Sequence, residues 1–220
     1  MLKRYWRLTL AGALLVSGTV QAQGEVTNGQ QVAMQGDGSG APCLACHGLD
    51  GAGNNAAGFP RLAGLDEKYI AKQIRDYNSG QRVSPIMQPN VDNLSEQQIL
   101  AVAAYYAQQP VPAAPAAGDA ELVAQGEKIA KRGDWNHYIP ACESCHGPDN
   151  QGMGATFPGI AGQHPNYIKQ QLNAWRAGDR HNDPNQLMTG VAERLSEQQI
   201  EAVAAYLGAQ QAVAANGGPQ

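Results

Sequence analysis

All four cysteines of the 220-residue chain fall in two copies of Cys-x-x-Cys-His, CLACH at Cys43 to His47 and CESCH at Cys142 to His146. This spacing puts two thiols about one helical turn apart on the same face, where each can add to a haem vinyl group. The adjacent histidine, His47 or His146, is then held under the iron as its proximal ligand. A four-cysteine zinc site usually has its two pairs about 15 to 20 residues apart, whereas most of a domain separates Cys46 from Cys142. A thioredoxin-like redox pair needs a βαβ context, and no β-rich run surrounds either motif. The pattern therefore reads as two covalent haem c sites, at Cys43/Cys46 and Cys142/Cys145.

A sixth ligand to each iron must come from elsewhere. Met87 lies 40 residues beyond His47, and Met188 lies 42 beyond His146, each in a Pro-containing loop before the last helix of its half. These two are the expected distal ligands, because His/Met ligation raises the haem potential and suits electron transfer. Met34 and Met153 sit close to the attachment segments and are expected to fill gaps in the core. Among the other histidines, His164 at a helix start is expected to cap or to lie on the surface. His137 is expected to be a surface or packing residue, and His181, in the loop before Met188, is an alternative ligand to the second iron.

The elements that position these groups repeat. Phe59-Pro60-Arg61-Leu62-Ala63-Gly64 returns as Phe157-Pro158-Gly159-Ile160-Ala161-Gly162, and LSEQQILAVAAY from Leu94 returns from Leu195 with one change. The chain holds one domain twice. The offset is 99 at the cysteines, 98 from Phe59 through Arg82, and 101 from Met87 onward, so the second copy gains three residues before Met188. Gln109 to Gly118 is rich in Pro and Ala and reads as an extended spacer. The expected organisation is a leader at 1–22, domains at 24–109 and 119–211, a linker at 110–118 and a frayed tail at 212–220.

Within each copy the periodicity is helical and no strand pattern competes, so the fold is expected to be all-α. Ile99, Val102, Ala103 and Tyr106, like Ile200, Val203, Ala204 and Leu207, form one apolar stripe. Ser95 with Gln98, and Ser196 with Gln199, make capping boxes. Further helices are expected over about 67–78 and 165–177, started by Asp66 and by Pro165 in the first turn, and from Asp119 to Arg132. Domains this small bury little apolar surface alone, so a haem must complete each core.

The N-terminus carries Lys3, Arg4 and Arg7, a mostly apolar stretch from Leu8 to Val20, and small residues at Val20-Gln21-Ala22, the pattern of an export signal cleaved after Ala22. Export by this bacterial-looking signal points to the periplasm. A retained anchor or peripheral membrane association stays open as the alternative. Losing the leader moves the formal net charge from −4 to −7, an acidic balance that excludes a nucleic-acid partner.

Two CxxCH domains, FP-x-[LI]-AG followed by a helix containing Tyr69 or Tyr167, the distal methionines, LSEQQ and the Pro/Ala linker together resemble the cytochrome c4 family of dihaem cytochromes. That resemblance covers essentially the whole mature chain and implies two tandem cytochrome c-like domains. It implies that the carbonyls of Pro60 and Pro158 accept from the proximal His N–H and fix each ring. Arg82 and Arg180 either approach the haem propionates or are ordinary solvated arginines. The implied role is an electron shuttle, not an enzyme, running from a quinol-oxidising complex to a terminal oxidase of the cbb3 type. Some family members carry opposite charge on their two domains; here the two halves carry −3 and −4. Two rival roles are the dihaem subunit of a sulfide-oxidising flavoprotein, and an enzyme such as a dihaem peroxidase or thiosulfate dehydrogenase. The enzymes need an open iron or unusual ligation, against which Met87 and Met188 argue.

Overall fold

A computed structural model describes residues 28–116 and 118–215; the expected leader lies outside them. The described chain is helical, with only isolated bridges in place of strands. The first half comprises α1 (28–35), α2 (Leu44–His47), α3 (Glu67–Asn78) and α4 (Glu96–Ala107). The second comprises α5 (Ala120–Arg132), α6 (Glu143–His146), α7 (Pro165–Ala177), α8 (Leu187–Arg194) and α9 (Glu197–Ala209).

The helix starts follow their caps. Asp66 accepts from the Tyr69 N–H at the head of α3, Asp119 from the amides of Glu121 and Leu122 at the head of α5, and both capping boxes form. The two apolar stripes are buried throughout. In each half the first and last helices cross at a glycine. A Cβ on Gly29 would lie 2.1 Å from the Ala101 carbonyl oxygen, and one on Gly126 would lie 2.0 Å from that of Ala202. Only glycine allows this contact. The last helix of the first half is also tied to the attachment segment, since the Tyr105 and Tyr106 hydroxyls donate to the carbonyls of Leu49 and Gly48.

The two halves meet across a polar seam related by the repeat. The Val83 N–H donates to the Asp179 carbonyl at 2.8 Å and the His181 N–H to that of Gln81 at 3.1 Å, pairing Arg82 with Arg180 in an antiparallel bridge. Residues 110–116 form no regular element. Residues 212–215 of the expected tail pack between the halves instead of fraying: Ala212 is buried, Val213 N–H donates to Gln151, and Ala215 N–H donates to the Gly64 carbonyl, while 216–220 lie outside the described residues.

Two methionines differ from expectation. Met34 and Met153 are exposed rather than core residues. Met34 follows the buried pair Val32 and Ala33 onto the outer face of α1, and Met153 sits in a turn between two positive-φ glycines, Gly152 and Gly154.

Candidate haem sites

Each attachment motif winds one short helical turn. His47 N–H donates to the Cys43 carbonyl and His146 N–H to that of Cys142, both at 2.9 Å, and Gly48 or Gly147 ends the turn at positive φ. Among the described residues the four cysteines form no disulfide, which leaves all four sulfurs for haem attachment. Cys43 and Cys142 pack against the two apolar cores, and burial raises the Cys142 thiol to about 11.

The histidines are buried and oriented. His47 Nδ1 lies 3.1 Å from the Pro60 carbonyl oxygen, and His146 Nδ1 lies 2.7 Å from that of Pro158. A carbonyl oxygen can only accept, so Nδ1 carries the proton and Nε2 the lone pair in both rings. His47 Nε2 is buried without a hydrogen-bond partner. Burial lowers both imidazole pKa values, partly offset by the proline carbonyls and reinforced by Arg82 at His47 and Arg180 at His146. Neutral imidazole with a free, buried Nε2 is the state that ligates iron.

In the first half, Cys43, Cys46, His47, Pro60 and Met87 line one cavity, walled by apolar side chains including Leu65, Ile74 and Val102. The orphaned Nε2, the paired thiols and the thioether all facing one apolar cavity are the donor set a haem c requires, so the residues fit that group. In the second half Cys142 and Met188 pack against the matching core, while Cys145 is exposed. The structure departs from a loop at Met188, which lies in the first turn of α8. The three extra residues let Asp183 accept from the Thr189 N–H and hydroxyl at the start of that helix. In the first copy Pro89 leaves only a short 3-10 turn after Met87.

Arg82 and Arg180 are not solvated; they are 4 % and 5 % exposed. Arg82 donates to Gln73, to the Tyr167 hydroxyl and to Gln171, whereas Arg180 donates to Gln171, Asn182, Gln73 and the Tyr69 hydroxyl. Their guanidinium groups lie 4.7 Å from the Tyr77 ring centre and 3.9 Å from that of Trp175, within cation–π range. Burial would raise the Tyr167 pKa, but the two guanidinium charges and their hydrogen bonds outweigh it and hold the phenol below its ordinary value. Among the described residues neither arginine meets a carboxylate.

His164 does not cap α7; its Nε2 donates across the seam to the Ala52 carbonyl at 2.8 Å. His137 is exposed and bonded to Asp134, and His181 is exposed with Nδ1 at 3.3 Å from the Gly178 carbonyl. The seam residues Gln73 and Gln171 escaped the sequence reading, although their identity at equivalent repeat positions was a usable signal. Arg61 and Gln163, also buried there, carry no such signal, because their counterparts are Gly159 and Leu65.

Fold and paired sites together define a dihaem c-type cytochrome, an electron-transfer protein with two covalently bound haem c groups. The sequence model of the family described as Cytochrome c matches residues 26–109 and 123–211. The chain is 45 % identical to a thiosulfate dehydrogenase electron acceptor of Stutzerimonas stutzeri, over 92 % of this chain and 93 % of that protein. The reduced cytochrome c4 of Pseudomonas stutzeri superposes with a TM-score of 0.73 at 35 % identity, covering 84 % of this chain and 97 % of that one. A thiosulfate dehydrogenase of Marichromatium purpuratum gives a TM-score of 0.79 at 42 % identity, over 87 % of this chain but only 41 % of that longer one. The chain belongs to the cytochrome c family, as a member of its dihaem cytochrome c4 group.

Proposed function

We propose that this protein is a periplasmic electron relay that takes electrons from a thiosulfate dehydrogenase and delivers them to a terminal oxidase of the cbb3 type. The observation that carries the donor is the 45 % identity, over nearly the full length of both chains, to a protein named as the electron acceptor of that enzyme. The similarity to 41 % of a longer thiosulfate dehydrogenase chain supports the same pairing, and favours this donor over a quinol-oxidising complex. Coupling two thiosulfate ions through a new S–S bond releases two electrons, which matches two one-electron sites in one molecule.

In this reading Cys43/Cys46 and Cys142/Cys145 would attach the haems, and His47 with Met87 and His146 with Met188 would hold the irons. When bound, the haems supply one-electron redox chemistry. The protein's part is to saturate each iron, so that no substrate binds there, and to orient the proximal rings through Pro60 and Pro158. Arg82 and Arg180 take the haem propionates as their anions: each is a buried guanidinium with only neutral protein partners, and each lowers the pKa of the proximal histidine in its own half. No helix among the described residues is long and apolar enough to cross a membrane.

The test mixes the oxidised protein with catalytic amounts of a thiosulfate dehydrogenase and follows haem reduction by stopped-flow absorbance. Thiosulfate alone should reduce neither haem, and adding the enzyme should reduce both. Sustained thiosulfate oxidation by this chain alone would overturn the carrier assignment, and reduction no faster than that of an unrelated mitochondrial-type cytochrome would overturn the partner.

A further inference from the structure

The repeat is broken at one point beside a proximal histidine. The peptide group between Pro60 and Arg61 is held at both ends: its carbonyl accepts from His47 Nδ1 at 3.1 Å, and its N–H donates to Gln163 Oε1 of the other domain at 2.8 Å. Gln163 Nε2 donates back to the Arg61 carbonyl at 2.9 Å, so one buried side-chain amide clamps the backbone of Arg61. Its orientation is set by chemistry, because Oε1 also receives the His164 N–H at 3.0 Å while Nε2 faces a carbonyl. The Arg61 guanidinium anchors the same segment by donating to Ala161, Gly162 and Ala63 carbonyls.

The second domain lacks this device. Gly159 follows Pro158, its N–H has no hydrogen-bond partner among the described residues, and Leu65 stands at the position equivalent to Gln163. There the proline carbonyl closes on the imidazole to 2.7 Å.

We infer that Gln163 is a positioning residue for the first haem: docking of the second domain holds the Pro60 carbonyl back from His47 and so raises the potential of the first haem relative to the second. The inference rests on His47 being an axial ligand. A stronger Nδ1–H bond makes imidazole a better donor and favours oxidised iron. Two effects of the clamp oppose each other. An acceptor on the peptide N–H polarises the carbonyl and strengthens its bond to His47 by about 10–30 %. Holding that bond at 3.1 Å rather than 2.7 Å moves it from the short to the long end of the hydrogen-bond range, which is the larger change. Lengthening wins, so the clamped haem is the easier to reduce.

The experiment compares the haem-loaded wild type with Gln163→Leu and Arg61→Gly by spectroelectrochemistry, assigning each potential from haem methyl resonances. Gln163→Leu should lower the first potential and leave the second in place, moving a single electron toward the second haem by roughly tenfold or less, the worth of one hydrogen bond of about 0.5–1.5 kcal/mol. Arg61→Gly keeps the peptide N–H that reaches Gln163 and should shift far less. An unchanged or raised first potential in Gln163→Leu overturns the inference. So does an equal fall in Arg61→Gly, which would assign the effect to loosened docking. Absence of a histidine-ligated low-spin signal at the first haem of the wild type would instead overturn the ligand assignment beneath it.

Discussion

Arg82 and Arg180 occupy equivalent places in the repeat, and the structure makes them direct partners across the domain seam, joined by a backbone bridge and sharing Gln73 and Gln171. Two guanidinium groups drawn this close, under cover and with only neutral protein partners, need anions. In the proposed reading haem propionates would meet that need from within each domain. Burial is the main cause that lowers the His47 and His146 pKa values, and Arg82 and Arg180 add to it in the same direction.

Replacing one arginine distinguishes the two accounts of the seam. If Arg82 neutralises a propionate, Arg82→Gln breaks a buried ion pair and should cost the haem-loaded protein about 3–5 kcal/mol. An arginine with no anion would give the opposite sign, because removing an unpaired buried charge stabilises. Guanidinium chloride unfolding of the loaded protein reads the sign directly. The first potential should also fall, since a lost positive charge favours oxidised iron.

Ligation by Met87 and Met188 predicts two sulfur-to-iron charge-transfer bands in the oxidised protein. Met87→His should lower the first potential and leave the second nearly unchanged, since thioether ligation favours reduced iron. Near-infrared absorbance of a Met87→Ala and Met188→Ala double variant is the check. Bands that persist there would assign the ligands elsewhere.

The glycine crossings should tolerate no side chain. A Cβ at Gly126 would stand 2.0 Å from the Ala202 carbonyl oxygen and 2.8 Å from Tyr206 Cβ, so Gly126→Val must push α5 from α9. A loss of about 3 kcal/mol or more is expected from overpacking. Gly178→Ala, where an added Cβ meets nothing within 4 Å, strains only a positive φ of 81° and should cost less. Thermal unfolding of both variants in the haem-loaded state decides whether the crossing or mere glycine content matters.

The sequence made the haem motifs, the duplication and the helix boundaries legible because each is written locally. Asp66, Ser95, Asp119 and Ser196 cap helices that begin one residue later, and thiol spacing is a property of five consecutive residues. What one domain does to the other was not legible. The sequence leaves Arg82 and Arg180 open between propionate contact and solvent and says nothing of Arg61's surroundings, because periodicity within a domain carries no record of the face a second domain covers. Met34 and Met153 differ for the converse reason: apolar character alone does not say which way a side chain faces, and both are exposed. Met188 reads as part of a Pro-containing loop, but its proline, Pro184, precedes it, and nothing in the second copy matches Pro89, which follows Met87.

His164 should give the docking of the two domains a pH dependence. Its Nε2 donates to the Ala52 carbonyl across the seam, and burial holds its pKa below the ordinary value of about 6.5. With the folded value depressed, the unfolded or undocked chain takes up the proton first as pH falls. Stability from this residue is therefore complete above about pH 6.5, declines as pH drops toward the folded value, and is flat below it. The Ala52 carbonyl opposes burial in part, and among the described residues the charged neighbour acting on the ring is Arg61, which pushes in the same direction as burial. His164→Gln removes the titration and should flatten the profile over that window. Denaturant midpoints measured between about pH 5 and pH 7.5 for the haem-loaded wild type and the variant supply the test: matching slopes in the two proteins would mean that His164 contributes nothing to the linkage.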